Sequence, residues 1–123
     1  MLTQIIYPEL SYKITGFLFQ VHNELGRFRK EKYYGDLLEI KLKNDGILYE
    51  REKLISSNDK RKADRADFYV ENKVLIDLKD KKFITKEDYF QMINYLKALK
   101  LKLGLIVNFR NTYLKPKRVV NLW

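Results

Sequence analysis

Two aspartates and a lysine stand among apolar residues in the segment RADFYVENKVLIDLKDKK, residues 65–82. Asp67, Asp77 and Lys79 would be charged there, and a buried charge is costly unless a counter-charge or hydrogen bonds compensate it. Two carboxylates held together repel each other, and oxygen ligands of this kind suit Mg²⁺ or Mn²⁺, which also accept phosphate oxygens. A lysine beside such an ion could orient or deprotonate an attacking water. The three residue types therefore favour metal-dependent hydrolysis of a phosphate ester.

Convergence of these side chains depends on the register of the predicted hairpin that carries them. Alternation along a strand puts Asp77 and Lys79 on one face. Asp67 joins them only if it lies opposite Asp77, which requires a three-residue loop, residues 71–73, or a bulge. With a two-residue loop, Asp67 would face Ile76 and the two aspartates would be separated. The site hypothesis therefore predicts a loop of odd length.

Each of these charged residues also has an ordinary structural interpretation. Asp67 could pair with Arg65 or Arg61, and the run from Asp77 to Lys82 could be an alternating charge pattern on a solvated sheet edge. Short motifs of this kind match many sequences by chance. The three residues alone therefore leave both interpretations open.

The periodicity of the apolar residues predicts the elements that must position this site. Pro8 suits a first helical turn, Gly26 suits a helix end, and Thr85 with Asp88 resembles a capping box. Helices are predicted at 8–25, 31–42 and 85–100, and strands at 47–55, 65–70, 73–79 and 103–109, with a short edge strand at 118–122. This order predicts an α/β (α+β) fold with a mixed central sheet flanked by helices.

Length and composition narrow the possible classes of protein. The chain has 123 residues, of which 46% are hydrophobic, so we expect a single domain over residues 1–123. It has no cysteine, which excludes disulfides, thiolate metal ligands and a cysteine nucleophile. No secretory signal or membrane span is recognisable, and a cytoplasmic protein without membrane association is expected.

The net charge of +9, from 25 basic and 16 acidic residues, favours a polyanionic partner. A field of that sign concentrates nucleic acid near the surface. Some basic residues also interleave with aromatic ones, a mixture that can pair with phosphates and stack on bases. The candidates are Arg27, Arg29, Lys30, Lys60, Arg61, Lys62, Lys81 and Lys82. A charged surface kept only for solubility is the alternative.

Five segments, in the same order along nearly the whole chain, carry a family resemblance. They are VHNELG at 21–26, EKYY at 31–34, RADFYVENKVLIDLK at 65–79, QMINYLKALKLKLGLIVNF at 91–109 and KRVVN at 117–121. With them the chain resembles the PD-(D/E)XK nuclease superfamily and, more closely, the small bacterial and archaeal family of GxxExxY proteins. Phe28 stands where that family has its naming glycine, while Glu31 and Tyr34 are kept. The loop RFRK before Glu31 is also far more basic than the usual small, apolar loop.

The resemblance implies a restriction-endonuclease-like core and assigns roles to individual residues. Asp67 and Asp77 would be ligands of Mg²⁺ or Mn²⁺, with the main-chain carbonyl of Leu78 as a further ligand. Lys79 would be the catalytic lysine. Glu31, from the helical layer, would be a further acid that either coordinates the metal directly or contacts the groups that do.

Gln91 and Tyr95 form a second candidate motif, because residues four apart share one helix face. They match the QxxxY motif of the exonuclease-like branch of the superfamily, where such a pair contacts the nucleic-acid backbone and steadies the active site. The alternative is a solvated glutamine and an ordinary core tyrosine. His22, the only histidine, is expected to be a hydrogen-bonded structural residue.

The functional hypothesis from the sequence is a nuclease that hydrolyses phosphodiester bonds with Mg²⁺ or Mn²⁺ and low sequence specificity. DNA is favoured over RNA, and backbone contacts should dominate because no base-reading motif is recognisable. The alternatives are a nucleic-acid-binding or accessory module that does not cleave, and a protein-interaction domain with an incidental positive surface. An exposed sheet edge near the C-terminus could pair two subunits into a homodimer.

Overall fold

The computed structural model describes residues 5–55 and 64–122. Within these ranges the chain forms three helices and five strands. The helices are α1 (Pro8–Leu25), α2 (Glu31–Asn44) and α3 (Lys86–Leu99), and the strands are β1 (Tyr49–Leu54), β2 (Arg65–Val70), β3 (Val74–Lys79), β4 (Leu103–Asn108) and β5 (Lys117–Val120). The predicted order of elements is confirmed, including the short last strand.

The element boundaries depart from the predicted ones by at most two residues, and two departures have a clear cause. Helix α2 runs on to Asn44, where the following Asp45 still donates its N–H to the Lys41 carbonyl at 3.2 Å. Strand β1 begins only at Tyr49, because the Leu48 N–H donates to the Glu71 side chain instead of to a main-chain carbonyl, although the Leu48 carbonyl still accepts from the Glu71 N–H. In both places hydrogen bonds, rather than the apolar pattern, set the end of the element.

The five strands form one mixed sheet in the order β1-β2-β3-β4-β5. The β1–β2, β2–β3 and β4–β5 pairs are antiparallel, and the β3–β4 pair is parallel. Strand β3 therefore lies at the centre of the sheet. The run from Asp77 to Lys82 begins on this central strand, so the interpretation as a solvated sheet edge is wrong for Asp77, which is only 7% exposed.

Two apolar cores lie on opposite faces of the sheet. Helices α1 and α2 cover one face, where they pack on Val74, Ile76 and Leu78 of β3. Helix α3 covers the other face and packs on Leu75. The alternation predicted for β3 is confirmed, and it leaves Asp77 on the α3 side. The predicted fold class, a mixed sheet flanked by helices, is confirmed.

The helix ends follow the predicted local signals. Pro8 occupies the first turn of α1, and Gly26 ends the helix with a φ of 78°, which glycine adopts at little cost. In the capping box of α3, Thr85 Oγ1 accepts from the Asp88 N–H and the Asp88 carboxylate accepts from the Thr85 N–H. None of the described helices is long and apolar enough to cross a membrane.

The hairpin between β2 and β3 has the register that the site hypothesis requires. Val70 pairs with Val74, which leaves a loop of three residues. Glu71 and Asn72 in this loop have φ of 53° and 55°. Glu71 is also held from outside the hairpin, since its N–H donates to the Leu48 carbonyl at 2.9 Å and its carboxylate accepts from the Leu48 N–H at 2.8 Å.

Candidate active site

The three charged residues of the hairpin lie together where its two strands separate. The pairing that begins at the hairpin loop ends at Phe68. One residue further, the Asp67 carboxylate accepts a hydrogen bond from the Leu78 main-chain N–H, with Oδ2 at 2.6 Å from N. The Lys79 ammonium lies 3.0 Å from Asp77 Oδ2. The structure thus brings together the three residues that the sequence pattern singled out.

The two aspartates are an electrostatically unfavourable pair. Burial, followed by the hydrogen bond and charge of Asp77, raises the pKa of Asp67. Two buried carboxyls in contact resist full ionisation unless positive charge lies beside them. Burial, the largest single effect, favours the neutral form of Lys79. The charge and hydrogen bond of Asp77, with the charges of Asp88 and Glu31, together outweigh burial and raise the pKa of the amine above its ordinary value. Lys79 is therefore protonated at neutral pH and supplies part of the compensating charge.

Glu31, the first residue of α2, approaches this group from the helical layer. Burial raises the pKa of its carboxyl, and Lys79 acts in the opposite direction. The Asp80 main chain lowers this pKa, while the charges of Asp77 and Asp80 raise it. Glu31, Asp67 and Leu78 are among the residues that line one cleft of about 540 Å³. The cleft gives a substrate access to the acidic group between the sheet and α2.

The donor chemistry of the cleft suits a hydrated Mg²⁺ or Mn²⁺. The N–H and C=O of one strand residue point to the same side, so the Leu78 carbonyl lies on the side of Asp67. Two carboxylates and a carbonyl match the oxygen donors that these ions bind, and Mg²⁺ commonly keeps several waters and uses only one or two carboxylates. Within residues 5–55 and 64–122, no three His, Cys, Asp or Glu side chains are grouped as a metal site. The residues that fit such an ion are Asp67, Asp77 and the Leu78 carbonyl.

Asp88 belongs to the site, although the sequence pattern indicated only a helix-capping role. It is buried, and its Oδ1 lies 4.0 Å from the Lys79 ammonium. Its other oxygen forms an ion pair with Lys81. Lys81 is therefore a partner of a buried carboxylate in this structure. The capping box was the only sequence signal for Asp88, because its approach to Lys79 depends on how α3 packs on the sheet.

Gln91 and Tyr95 lie on α3 beside the acidic group. Tyr95 is buried in the second core, and burial, reinforced by Asp64, raises the pKa of its phenol to about 12. The charges of Asp77 and Asp67 raise this pKa further. Gln91 is exposed and lines with Tyr95 a cleft of about 380 Å³. The pair shares a helix face, as predicted.

Basic residues of the α1–α2 loop flank the start of α2. Arg27 Nε donates to the Arg110 carbonyl at 2.8 Å, and Arg29 Nε donates to a carbonyl of α1 at 3.3 Å. Lys30 is the exposed N-cap of α2, and Lys82 is exposed in the loop after β3. The candidates Lys60, Arg61 and Lys62 lie outside the described residues.

The hydrogen bonds of Asp67 and His22 bear on the ordinary structural interpretations of these two residues. Arg65 donates to the Glu52 carbonyl at 3.3 Å, while Asp67 bonds to the Leu78 amide. Pairing of Asp67 with Arg65 is therefore not what the structure shows, and Arg61 lies outside the described residues. His22 Nε2 lies 2.9 Å from the Asn111 carbonyl, in keeping with a structural histidine.

Comparison with known families gives the same class of protein as the fold and the site. The family described as the PD-(D/E)XK nuclease superfamily matches residues 8–119. The chain therefore belongs to the PD-(D/E)XK nuclease superfamily, and the matched range includes every residue of the candidate site. No curated protein and no solved structure gives a significant match.

Proposed function

We propose that this protein is a Mg²⁺- or Mn²⁺-dependent nuclease of the GxxExxY type that hydrolyses phosphodiester bonds, in DNA in preference to RNA, with low sequence specificity. The observation that carries the proposal is the meeting of Asp67, Asp77 and Lys79 at the point where β2 and β3 separate. Membership of a nuclease superfamily supports the same activity. The net charge of +9 favours a polyanionic substrate.

The roles follow from the position and charge of each residue. Asp67, Asp77 and the Leu78 carbonyl would hold the ion, with Glu31 as a further acid at the mouth of the cleft. The bound ion would supply Lewis-acid stabilisation of phosphate oxygens and a more acidic water. The Asp77 carboxylate, 3.0 Å from the Lys79 ammonium, favours the protonated form of Lys79. A protonated amine is a poor base, so we assign Lys79 to orienting the water and stabilising negative charge as it develops on the phosphate.

Gln91 and Tyr95 are proposed to contact the nucleic-acid backbone from α3. Gln91 is exposed and lines a cleft with Tyr95, and the charges of Asp77 and Asp67 act on the Tyr95 phenol. Arg29 and Lys30 are exposed just before α2, so polar and basic side chains are available on both the α3 side and the α2 side. Contacts of this kind position a strand without selecting its sequence.

The test is a cleavage assay with labelled DNA and RNA in Mg²⁺, Mn²⁺ or chelator. We expect cleavage only with metal, and a loss of about a hundredfold or more in Asp77→Ala and Lys79→Ala, the size typical of losing one electrostatic contact to a transition state. Asp45→Ala is the matched control, since Asp45 forms an exposed ion pair with Lys13. Cleavage that persists in chelator, or equal rates for Asp77→Ala and the control, would contradict the proposal.

A binding module without catalytic activity is the second candidate. The observation in its favour is that the described residues include no group of three acidic or imidazole side chains ready to hold a metal. This candidate predicts binding that chelator does not change and no cleavage in either metal. The enzyme predicts substrate binding that survives in Asp77→Ala while cleavage is lost.

A further inference from the structure

We infer that Phe28, Arg27 and Arg110 form a platform that stacks an unpaired nucleobase beside the active site. The platform would select single strands or unpaired ends over intact duplex. The inference rests on the proposed function, because it names the substrate class of the same site. These three residues are called the Phe28 platform below.

Phe28 presents an aromatic ring to solvent, with 71% of its surface exposed. Single exposed apolar side chains are common on proteins and by themselves indicate nothing. Phe28 differs in its position, since it stands where the GxxExxY pattern has a small glycine. It also differs in its neighbours, which are both cationic.

Two guanidinium groups lie against the ring. Arg27 Cζ is 5.0 Å and Arg110 Cζ is 5.4 Å from the Phe28 ring centroid. Both distances are within the range of cation–π contacts, and Phe28 as a whole residue remains 71% exposed with both groups in place. An open ring beside cations can stack a base while the guanidinium groups pair with its phosphate.

The Phe28 platform is connected to the strand that carries the site. Arg110 Nε lies 2.9 Å from the Asp80 carboxylate, and Asp80 directly follows Lys79. Glu31, three residues after Phe28, lines the cleft together with Asp67 and Leu78. A nucleotide on the platform would therefore adjoin the nucleotide whose phosphate enters the cleft.

The loop that carries the platform is held in place by Tyr34. The Tyr34 hydroxyl donates to the Gly26 carbonyl at 2.6 Å and accepts from the Arg29 N–H at 3.1 Å. The Tyr34 ring stacks on Phe109, with centroids 4.0 Å apart. A fixed loop loses little conformational entropy on binding, which favours affinity.

Stacking on this platform requires a base that is not already stacked within a duplex. Side chains reach the face of a base only when the base is in a single strand, in a loop or flipped out. The platform thus predicts a preference for unpaired bases with little preference among the four, because every base has a π-face.

The experiment measures equilibrium binding by fluorescence anisotropy in chelator, so that cleavage plays no part. The probes are a single-stranded DNA, a backbone of equal length without bases, and a blunt duplex. The variants are Phe28→Ala, Phe28→Leu and Phe28→Trp of the full chain, with Tyr12→Ala as control. Tyr12 is an aromatic residue, 83% exposed, that lines a separate cleft with Pro8.

Phe28→Ala and Phe28→Leu should weaken binding of the single strand by about tenfold, the typical loss of one base–aromatic contact. Phe28→Trp and Tyr12→Ala should bind like the wild type, and none of the variants should change binding of the other two probes. The salt dependence should keep its slope, because no phosphate contact is removed. Equal affinity of Phe28→Ala and wild type for the single strand, or an equal loss on the probe without bases, would overturn the inference.

Failure of this inference can be told apart from failure of the proposed function. Metal-dependent cleavage that requires Asp77, together with unchanged binding in Phe28→Ala, would refute the platform and leave the nuclease. Phe28-dependent binding without cleavage in either metal would refute the nuclease and leave the platform. A wild type that binds none of the probes in chelator would refute the platform, and the cleavage assay with metal would decide the nuclease separately.

Discussion

The two ends of the β2–β3 hairpin are made from the same strands but have opposite energetic characters. Near the loop, Val70 pairs with Val74 and both are fully buried in the core beneath α1 and α2. At the other end the strands separate, and Asp67 and Asp77 bring two carboxyls together in a largely desolvated position. Apolar burial favours folding, whereas a buried pair of like charges opposes it. The hairpin therefore gains its stability at the apolar end, near the loop.

The largest expected effect tests the apolar end. Ile76 is fully buried at the centre of the sheet, so Ile76→Ala should lower the free energy of unfolding by about 2–5 kcal/mol, measured by urea denaturation. Ile40→Ala is the matched control, because Ile40 is exposed on α2, and it should change stability by less than about 0.5 kcal/mol. Equal effects of the two variants would show that the apolar end is not the stabilising one.

The charged end predicts an effect of opposite sign. Asp67→Asn keeps an oxygen that can accept from the Leu78 N–H but removes one of two repelling carboxylates. We expect the free energy of unfolding in chelator at pH 8 to rise by roughly 1–2 kcal/mol, as is common where a functional group is removed, while cleavage is lost. Asp45→Asn, at an exposed ion pair, should leave both quantities unchanged. A marked loss of stability in Asp67→Asn would mean that the aspartate pair supports the fold.

A smaller effect is expected where α3 meets the site. Thr85→Ala removes the hydroxyl that caps α3 and bonds to Asp88. The free energy of unfolding should fall by about 1 kcal/mol, the typical value of an N-cap. Thr85→Ser restores the hydroxyl and should recover most of the stability. Equal losses in both variants would assign the effect to the methyl group instead of the cap.

The smallest expected effect concerns a charge outside the site. Glu39 accepts from the Tyr49 hydroxyl at 2.6 Å and from Arg51 at 3.2 Å, and these hydrogen bonds, Tyr49 foremost, lower its pKa. A lowered folded pKa gives stability that is present above the unfolded value of 4.5 and is lost as the pH falls through the folded value.

Wild type should therefore exceed Glu39→Gln in stability by roughly a few tenths of a kcal/mol, as for partly exposed pairs, and the difference should disappear on acidification below pH 4.5. Denaturant titrations of both proteins between pH 3 and pH 7 would measure this. A difference that does not vary with pH would show that the Glu39 carboxylate is not its source. Comparison with Asp67→Asn would then separate charges that stabilise the fold from charges that oppose it.

Most elements could be predicted because their signals are local. The three- and four-residue spacing of Ile14, Leu18 and Val21 predicts α1, and all three are buried. Alternation on β3 predicted that Asp77 and Lys79 share a face opposite Ile76. The register of β2 against β3 could not be predicted, because the segment Glu71-Asn72-Lys73 is compatible with a hairpin loop of either two or three residues. Two hydrogen bonds between Glu71 and Leu48, which precedes β1, hold the longer loop in place.

Some members of the site had no sequence signal that identified them. Asp88 lies nine residues after Lys79 on another element, and Arg110 lies 30 residues after Asp80, yet each forms an ion pair at the end of β3. Their approach depends on the packing of α3 and on the turn after β4. Periodicity describes one element at a time and carries no information about such contacts.

The sequence by itself determined the positive charge and the absence of thiol chemistry, because both depend only on composition. It also determined the order of helices and strands and the face of β3 that carries Asp77 and Lys79, because both follow from short repeats of apolar residues. Only the tertiary structure decided that Asp67 joins Asp77, that Asp88 holds Lys81 and that Arg110 meets Phe28. These contacts join residues from different elements, and their geometry is set by loop conformation and by the packing of helices on the sheet.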